Sequence, residues 1–202
     1  MVDRRMSQLP ERMEVVEALT IDATVERAQR GDAASFERLV EDRIGSLVRL
    51  ASAIMGDEAE ARDAVQDACV SAWRALPTLR EPGRFDAWLT RIVTNTCRMA
   101  LRRRRRRRVR EVTVGSLHPD AQRRILERPV AEPADEIGEL ELLDRAFQQL
   151  DPDQRIALAL HYLEGRPVAE VAELTGVSVP TAKWRLHVAR GALATALEVE
   201  GR

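Results

Sequence analysis

The sequence predicts an all-α protein made of two small helical domains joined by a flexible linker. Composition is the first reason. The 202 residues are 45% hydrophobic and 32% charged but include only three Phe, three Trp and one Tyr. That is too apolar for a disordered chain and too poor in Val-Ile-Thr-aromatic runs for a sheet-rich one. Periodicity is the second: apolar residues recur at three- and four-residue steps through 24–108 and again through 139–198. The third is the interval 109–138, where that rhythm lapses and Gly115, Pro119, Pro129, Pro133 and Gly138 gather as in a linker. The boundaries that follow are an N-terminal extension at 1–22, a first domain at 23–108, the linker at 109–138 and a second domain at 139–202.

The first helix begins at Ser35-Phe36, carries Leu39, Val40, Ile44, Leu47, Val48 and Ala51 on one stripe, and stops at Gly56. A second spans Asp57 to Leu76. Asp57 is its N-cap, and Glu58 and Glu60 suit the positive helix start. Ala61, Val65, Ala68, Cys69, Ala72, Trp73 and Leu76 form its apolar face, with Glu60, Asp63, Gln66 and Asp67 on the other. Pro77 and Pro82-Gly83 make a loop. A third helix starts near Phe85 and runs through Trp88, Ile92 and Cys97 into seven consecutive arginines, Arg102 to Arg108.

After the linker, Leu143, Ala146, Phe147 and Leu150 share a helical stripe, and Asp151-Pro152 restarts a helix that Gly165-Arg166-Pro167 breaks. Val168–Thr175 and Val179 to about Glu198 then form a helix-turn-helix around Gly176-Val177-Ser178. Ala172 is small where the helices must cross, Gly176 permits a positive φ, Ser178 caps, and Pro180 sits in the first turn.

Net charge is −1, yet it is built from opposed blocks. Residues 11–70 carry 14 acids against 7 Arg, whereas 91–110 carry ten Arg and no acid. Such local fields choose partners. On the last helix Ala182, Leu186, Ala189 and Leu193 repeat as an inward stripe, leaving Thr181, Lys183, Trp184, Arg185, His187 and Arg190 outward. A helix of this kind enters the major groove. The arginine run suits phosphates, and Asn95, beside it, faces outward toward bases; spacing puts Trp88 in the core with Phe85 and Ile92. By spacing alone the acidic face of the second helix is an ordinary solvated surface. His118, His161 and His187 have no partners at ligand spacing, the two cysteines form no CxxC pair, and no P-loop, GxSxG, HExxH or Rossmann pattern occurs. Neither catalysis, nor a metal, nor a cofactor is expected. No apolar run is long enough for a membrane span and no signal-peptide core precedes Asp22, so the expected location is the cytoplasm. On these residues alone two other readings stay open: a free-standing duplex-binding regulator, and a scaffold with a polyanion-binding segment.

Three stretches in order carry a resemblance. Asp57 to Leu76, with its acid-apolar-Gln-Asp kernel and Ala-Trp-Arg ending, resembles the core-binding helix of bacterial sigma factors of the extracytoplasmic-function type. Phe85-Asp86-Ala87-Trp88-Leu89-Thr90-Arg91-Ile92-Val93-Thr94-Asn95 resembles their promoter-melting helix. Leu150-Asp151-Pro152-Asp153-Gln154-Arg155 onward, through Glu170–Ser178 and Thr181–His187, resembles their −35 module. The resemblance implies a region 2-like bundle and a region 4-like helix-turn-helix. It implies that Asp63, Gln66 and Asp67 dock on the clamp helices of the largest subunit of core RNA polymerase. It further implies that the Pro77–Arg84 loop and the face around Asn95 capture a flipped −10 base. Arg84, Arg91, Arg98, Arg102 and Arg103 would hold single-stranded and duplex −10 DNA, and Thr181, Lys183, Trp184, Arg185, His187 and Arg190 would face the −35 element. An anti-sigma factor is an expected partner. Trp184, Pro180, Val188 and Ala182 depart from common residues at their positions, so no −35 sequence carries over.

Overall fold

The computed structural model describes residues 21–115 and 138–200; the expectations for most of the N-terminal extension and of the linker lie outside the described residues. Helix α1 occupies 21–29 and turns at Gly31, whose φ is +96°. Helix α2, Ala33–Met55, starts two residues ahead of the predicted Ser35. The reason is Asp32, whose carboxylate accepts from the Ala34 and Ser35 amides and from the Ser35 hydroxyl. It ends where predicted, at Gly56 with φ +70°.

Helix α3, Glu58–Ala75, is capped by Asp57, which accepts from the Glu60 amide at 2.8 Å. Two short 3₁₀ turns, Leu76–Thr78 and Pro82–Arg84, replace the predicted loop. Helix α4 runs Phe85–Gly115. It therefore extends into the stretch that the sequence assigns to the linker. Residues 109–114 hold neither Gly nor Pro, so nothing stops the helix before Gly115.

Helix α5 is Glu139–Gln149. Helix α6, Pro152–Leu158, opens on a capping box: Asp151 accepts from the Asp153 amide while the Gln154 side chain accepts from the Asp151 amide, each at 3.0 Å. It runs into a π-helical turn, Ala159–Leu163, that periodicity did not disclose. Helices α7, Val168–Thr175, and α8, Val179–Glu200, form the helix-turn-helix, with Gly176 at φ +71°. The Ser178 hydroxyl accepts from the Thr181 amide, as its capping role requires. No strand occurs among the described residues.

The largest buried side chains include Leu50, Ile54, Leu76 and Leu89 from α2–α4 and Ile156 and Leu160 from the second region. Each contributes about 2 kcal/mol through burial. They belong to one contiguous apolar cluster spanning both regions. The two helical regions, which the sequence expects to be tethered, are packed on each other: α2 meets α6 and the π turn, and α4 meets α6 and α7. Trp88 lies partly buried against this cluster with its ring 5.9 Å from Phe85, as spacing indicated.

Candidate nucleic-acid interface

Helix α3 turns its small apolar residues inward: Ala61, Ala64, Val65, Ala68 and Ala72 are buried. The 3.6-residue repeat then leaves Asp63, Gln66 and Asp67 together on the exposed face. Beside that face runs α4. Arg104 pairs with Glu60 across the α3–α4 groove at 3.3 Å, and Arg103 and Arg107 line the same depression as Asp63 and Asp67. The acidic face and the arginine track are therefore neighbours in space, complementary in charge, and both open to solvent.

Further toward its start, α4 presents Arg91 in a cleft with Arg84, Arg80, Leu79 and Trp88. The cleft encloses about 220 Å³, and Glu173 and Leu174 of α7 form its far wall. Arg84 is ion-paired to Glu173. One turn further along α4 the predicted outward Asn95 is only half exposed, and its side-chain oxygen accepts from Arg98 at 2.5 Å. Arg98 donates its Nε to Asp153 of α6 at 2.7 Å, and Arg102 approaches the same carboxylate at 3.8 Å. Arg84 and Arg91 thus share a cleft, Asn95, Arg98 and Arg102 follow along α4 toward Asp153 of the second region, and Arg103 lines the groove against α3.

On α8, Ala182, Leu186 and Ala189 are buried and Leu193 is partly so, as the repeat requires. Thr181, Lys183, Trp184, His187 and Arg190 are exposed, Trp184 at 64%. Arg185 is the exception. Its side chain is 19% exposed and reaches to 4.0 Å from Asp153.

Sequence reasoning missed the residues that join the two regions. The last turn of any helix leaves carbonyls without intrahelical donors. At the end of α2 the Arg155 guanidinium donates to the Ile54 carbonyl at 2.9 Å, and the Gln148 amide donates to the Ala53 carbonyl at 3.2 Å. Arg155 also donates to the Leu150 carbonyl at 3.1 Å and to the Gln148 side chain. Burial, reinforced by the nearby Arg104 charge, holds its pKa below the usual guanidinium value. Gln148 sits against Gly56 so closely that a Cβ there would lie 2.3 Å from it. On the opposite side Arg166 bridges Asp86 of α4 and Glu170 of α7, and Asp86 also pairs with Arg43 at 2.7 Å. The one available signal was an arginine inside the apolar run Arg155–Leu160. Among the described residues no group of His, Cys, Asp and Glu could hold a metal ion, and no helix is long and apolar enough to cross a membrane.

Comparison with known proteins yields a consistent set. Residues 39–107 match the family described as Sigma-70 region 2, and residues 140–193 match Sigma-70 region 4. The ECF RNA polymerase sigma factor SigM of Mycobacterium tuberculosis is 32% identical over 167 residues, covering 83% of this chain and 79% of that protein. The RNA polymerase sigma-H factor of Pseudomonas aeruginosa is 34% identical over 187 residues, covering 86% and 92%. The ECF RNA polymerase sigma-E factor of Escherichia coli is 30% identical over 190 residues, covering 88% and 94%. Among solved structures, CnrH in complex with the cytosolic domain of CnrY superimposes with a TM-score of 0.60 at 27% identity, covering 89% of this chain and 97% of that one. The sigma factor RpoE in complex with the anti-sigma factor NepR, from Bartonella quintana, gives 0.58 at 25%, covering 81% and 97%.

Proposed function

Since this chain belongs to the extracytoplasmic-function sigma factors, we propose that its three solvent-facing or DNA-ready surfaces divide the work of promoter recognition among named residues. The chain is a specificity subunit of RNA polymerase that acts in transcription initiation with core enzyme and promoter DNA, and it is not an enzyme. Asp63, Gln66 and Asp67 dock on the clamp helices of the largest polymerase subunit. Arg84, Arg91, Asn95, Arg98, Arg102 and Arg103 hold the −10 element, with the cleft by Leu79, Arg84 and Trp88 receiving an unstacked base. Thr181, Lys183, Trp184, Arg185, His187 and Arg190 meet the −35 element in the major groove.

The single observation that supports this division most is the side-by-side placement of an exposed acidic face on α3 and a basic track on α4. One surface suits a protein partner and the other suits phosphates, and they adjoin as they must if DNA is to be melted against a bound polymerase. Melting needs unstacking energy of about a few kcal/mol, which many phosphate contacts along the track can offset. The family matches at 39–107 and 140–193 fall within the proposed domains 23–108 and 139–202. The cytoplasm is the proposed site of action, since core polymerase and chromosome are there. An anti-sigma protein is the proposed regulatory partner, because a structural neighbour, the sigma factor RpoE of Bartonella quintana, is in complex with the anti-sigma factor NepR.

The test is promoter opening by purified core polymerase with and without the chain, on a library of spaced −35 and −10 sites. Selective opening is expected with the native chain and is lost when Asp63, Gln66 and Asp67 become Ala. Undiminished opening by that triple variant would refute the docking assignment. Tight, specific duplex binding by the chain alone, with no opening, would refute the whole division of labour.

A further inference from the structure

The surface assigned to −10 DNA is occupied by the protein itself. Of the six residues assigned to −10 DNA, Arg84, Arg98 and Arg102 are each paired with a carboxylate from the second region: Glu173 for the first, Asp153 for the other two. Asn95 is engaged by Arg98, and the cleft beside Arg84 is walled by Glu173 and Leu174. Asp153 also approaches Arg185 on the −35 helix. One carboxylate therefore sits among guanidinium groups from both surfaces assigned to DNA, and guanidinium binds carboxylate and phosphate through the same charge-assisted hydrogen bonds. Resting on the assignment of those arginines to −10 DNA, we propose that Asp153 and Glu173 act as internal phosphate mimics, so that the closed chain competes with promoter DNA for Arg84, Arg98 and Arg102.

The chemistry of the joint suits a reversible device. Its ion pairs are partly exposed, hence weak and screened by salt. The other side of the joint, where Arg155 and Gln148 cap the end of α2, fixes the register that brings Asp153 over Arg98. A polyanion offering several phosphates at once displaces two carboxylates, because it also gains by counterion release. Closure then lowers the apparent affinity of the chain alone by the fraction that is closed. Any partner that holds the two regions apart removes that penalty. The same linkage demands that DNA, in turn, open the chain.

The experiment uses the full chain and a 20-nucleotide mixed-sequence single-stranded DNA as the probe, followed by fluorescence anisotropy across a salt series, with small-angle scattering to read closure. The variant is Asp153→Asn with Glu173→Gln. The control, Glu37→Gln with Glu198→Gln, removes the same charge at exposed positions away from the joint. Relative to the control, the variant is expected to bind about tenfold tighter, the gain for a chain that is about 90% closed. Its salt dependence is steeper than the control's, because added salt screens the pairs that close the native chain and so offsets part of that chain's loss of affinity. Its radius of gyration increases. The native chain expands on adding the same DNA, a reading that needs no substitution. Unchanged size and affinity in variant and control would overturn the proposal while leaving the promoter-opening result untouched. Expansion without a gain in affinity would show instead that these arginines do not hold DNA, and would overturn the −10 assignment together with the competition.

Discussion

Replacing Arg155 by Met tests the joint at its most buried point. Arg155 is 9% exposed and donates to three oxygens: the carbonyls of Leu150 and Ile54 and the Gln148 side chain. Bonds from a charged donor contribute about 1.5–3 kcal/mol each. Relief from burying a cation offsets several kcal/mol of that sum, and Met fills most of the volume. The net loss expected is about 2–4 kcal/mol. At a urea dependence of about 2 kcal/mol/M, that is a fall of about 1–2 M in the midpoint. The assay is urea unfolding followed by tryptophan emission, in one chain keeping Trp73 and Trp88 and another keeping only Trp184, with Phe at the remaining positions. Because one of the three acceptors belongs to α2, both reporters must shift. A midpoint change below about 0.5 M would refute the energetic argument. A shift confined to the Trp184 reporter would show that Arg155 stabilises its own region and does not couple it to α2.

Gly56→Ala places a side chain at φ +70° and 2.3 Å from Gln148. It should lower stability by about 1–2 kcal/mol through the left-handed conformation alone; scattering should also show a loosened joint, since Gln148 must leave the Ala53 carbonyl. Trp184→Ala removes a side chain that is 64% exposed, so unfolding should move by no more than about 0.5 kcal/mol, while binding of the polymerase-bound chain to −35 duplex, read by footprinting, weakens by about 1–3 kcal/mol. Burial pushes the Cys97 thiol up from 9.0 to about 12. The folded state disfavours the thiolate, so this contribution is intact below pH 9 and is lost as pH rises toward 12; Cys97→Ala should flatten that part of the stability profile. At pH 8 a thiol reagent should modify Cys97 only on unfolding.

The helices were legible because each is specified locally. Asp57 with its acidic first turn, the Asp151-Pro152 start, Gly56 and Gly176 at the ends, and apolar residues at helical steps are short-range signals that the chain satisfies wherever it is placed. The outward faces of α3 and α8 followed from the same repeat, and so did the inward place of Trp88. What no repeat encodes is which exposed face meets which. Asn95 and Arg185 lie at outward positions by spacing, yet Asn95 is held by Arg98, and Arg98 and Arg185 both reach Asp153, a residue 55 positions from Arg98. Arg155 interrupts an apolar run for a reason invisible along the chain: the carbonyl it caps is at Ile54, 101 residues earlier. The sequence determined the helices, their caps and their faces, since those depend on neighbours within a turn or two. Only the tertiary structure decided that the two regions close on each other, because that rests on charges and helix-end carbonyls whose partners are distant in sequence and become adjacent only after both regions have folded.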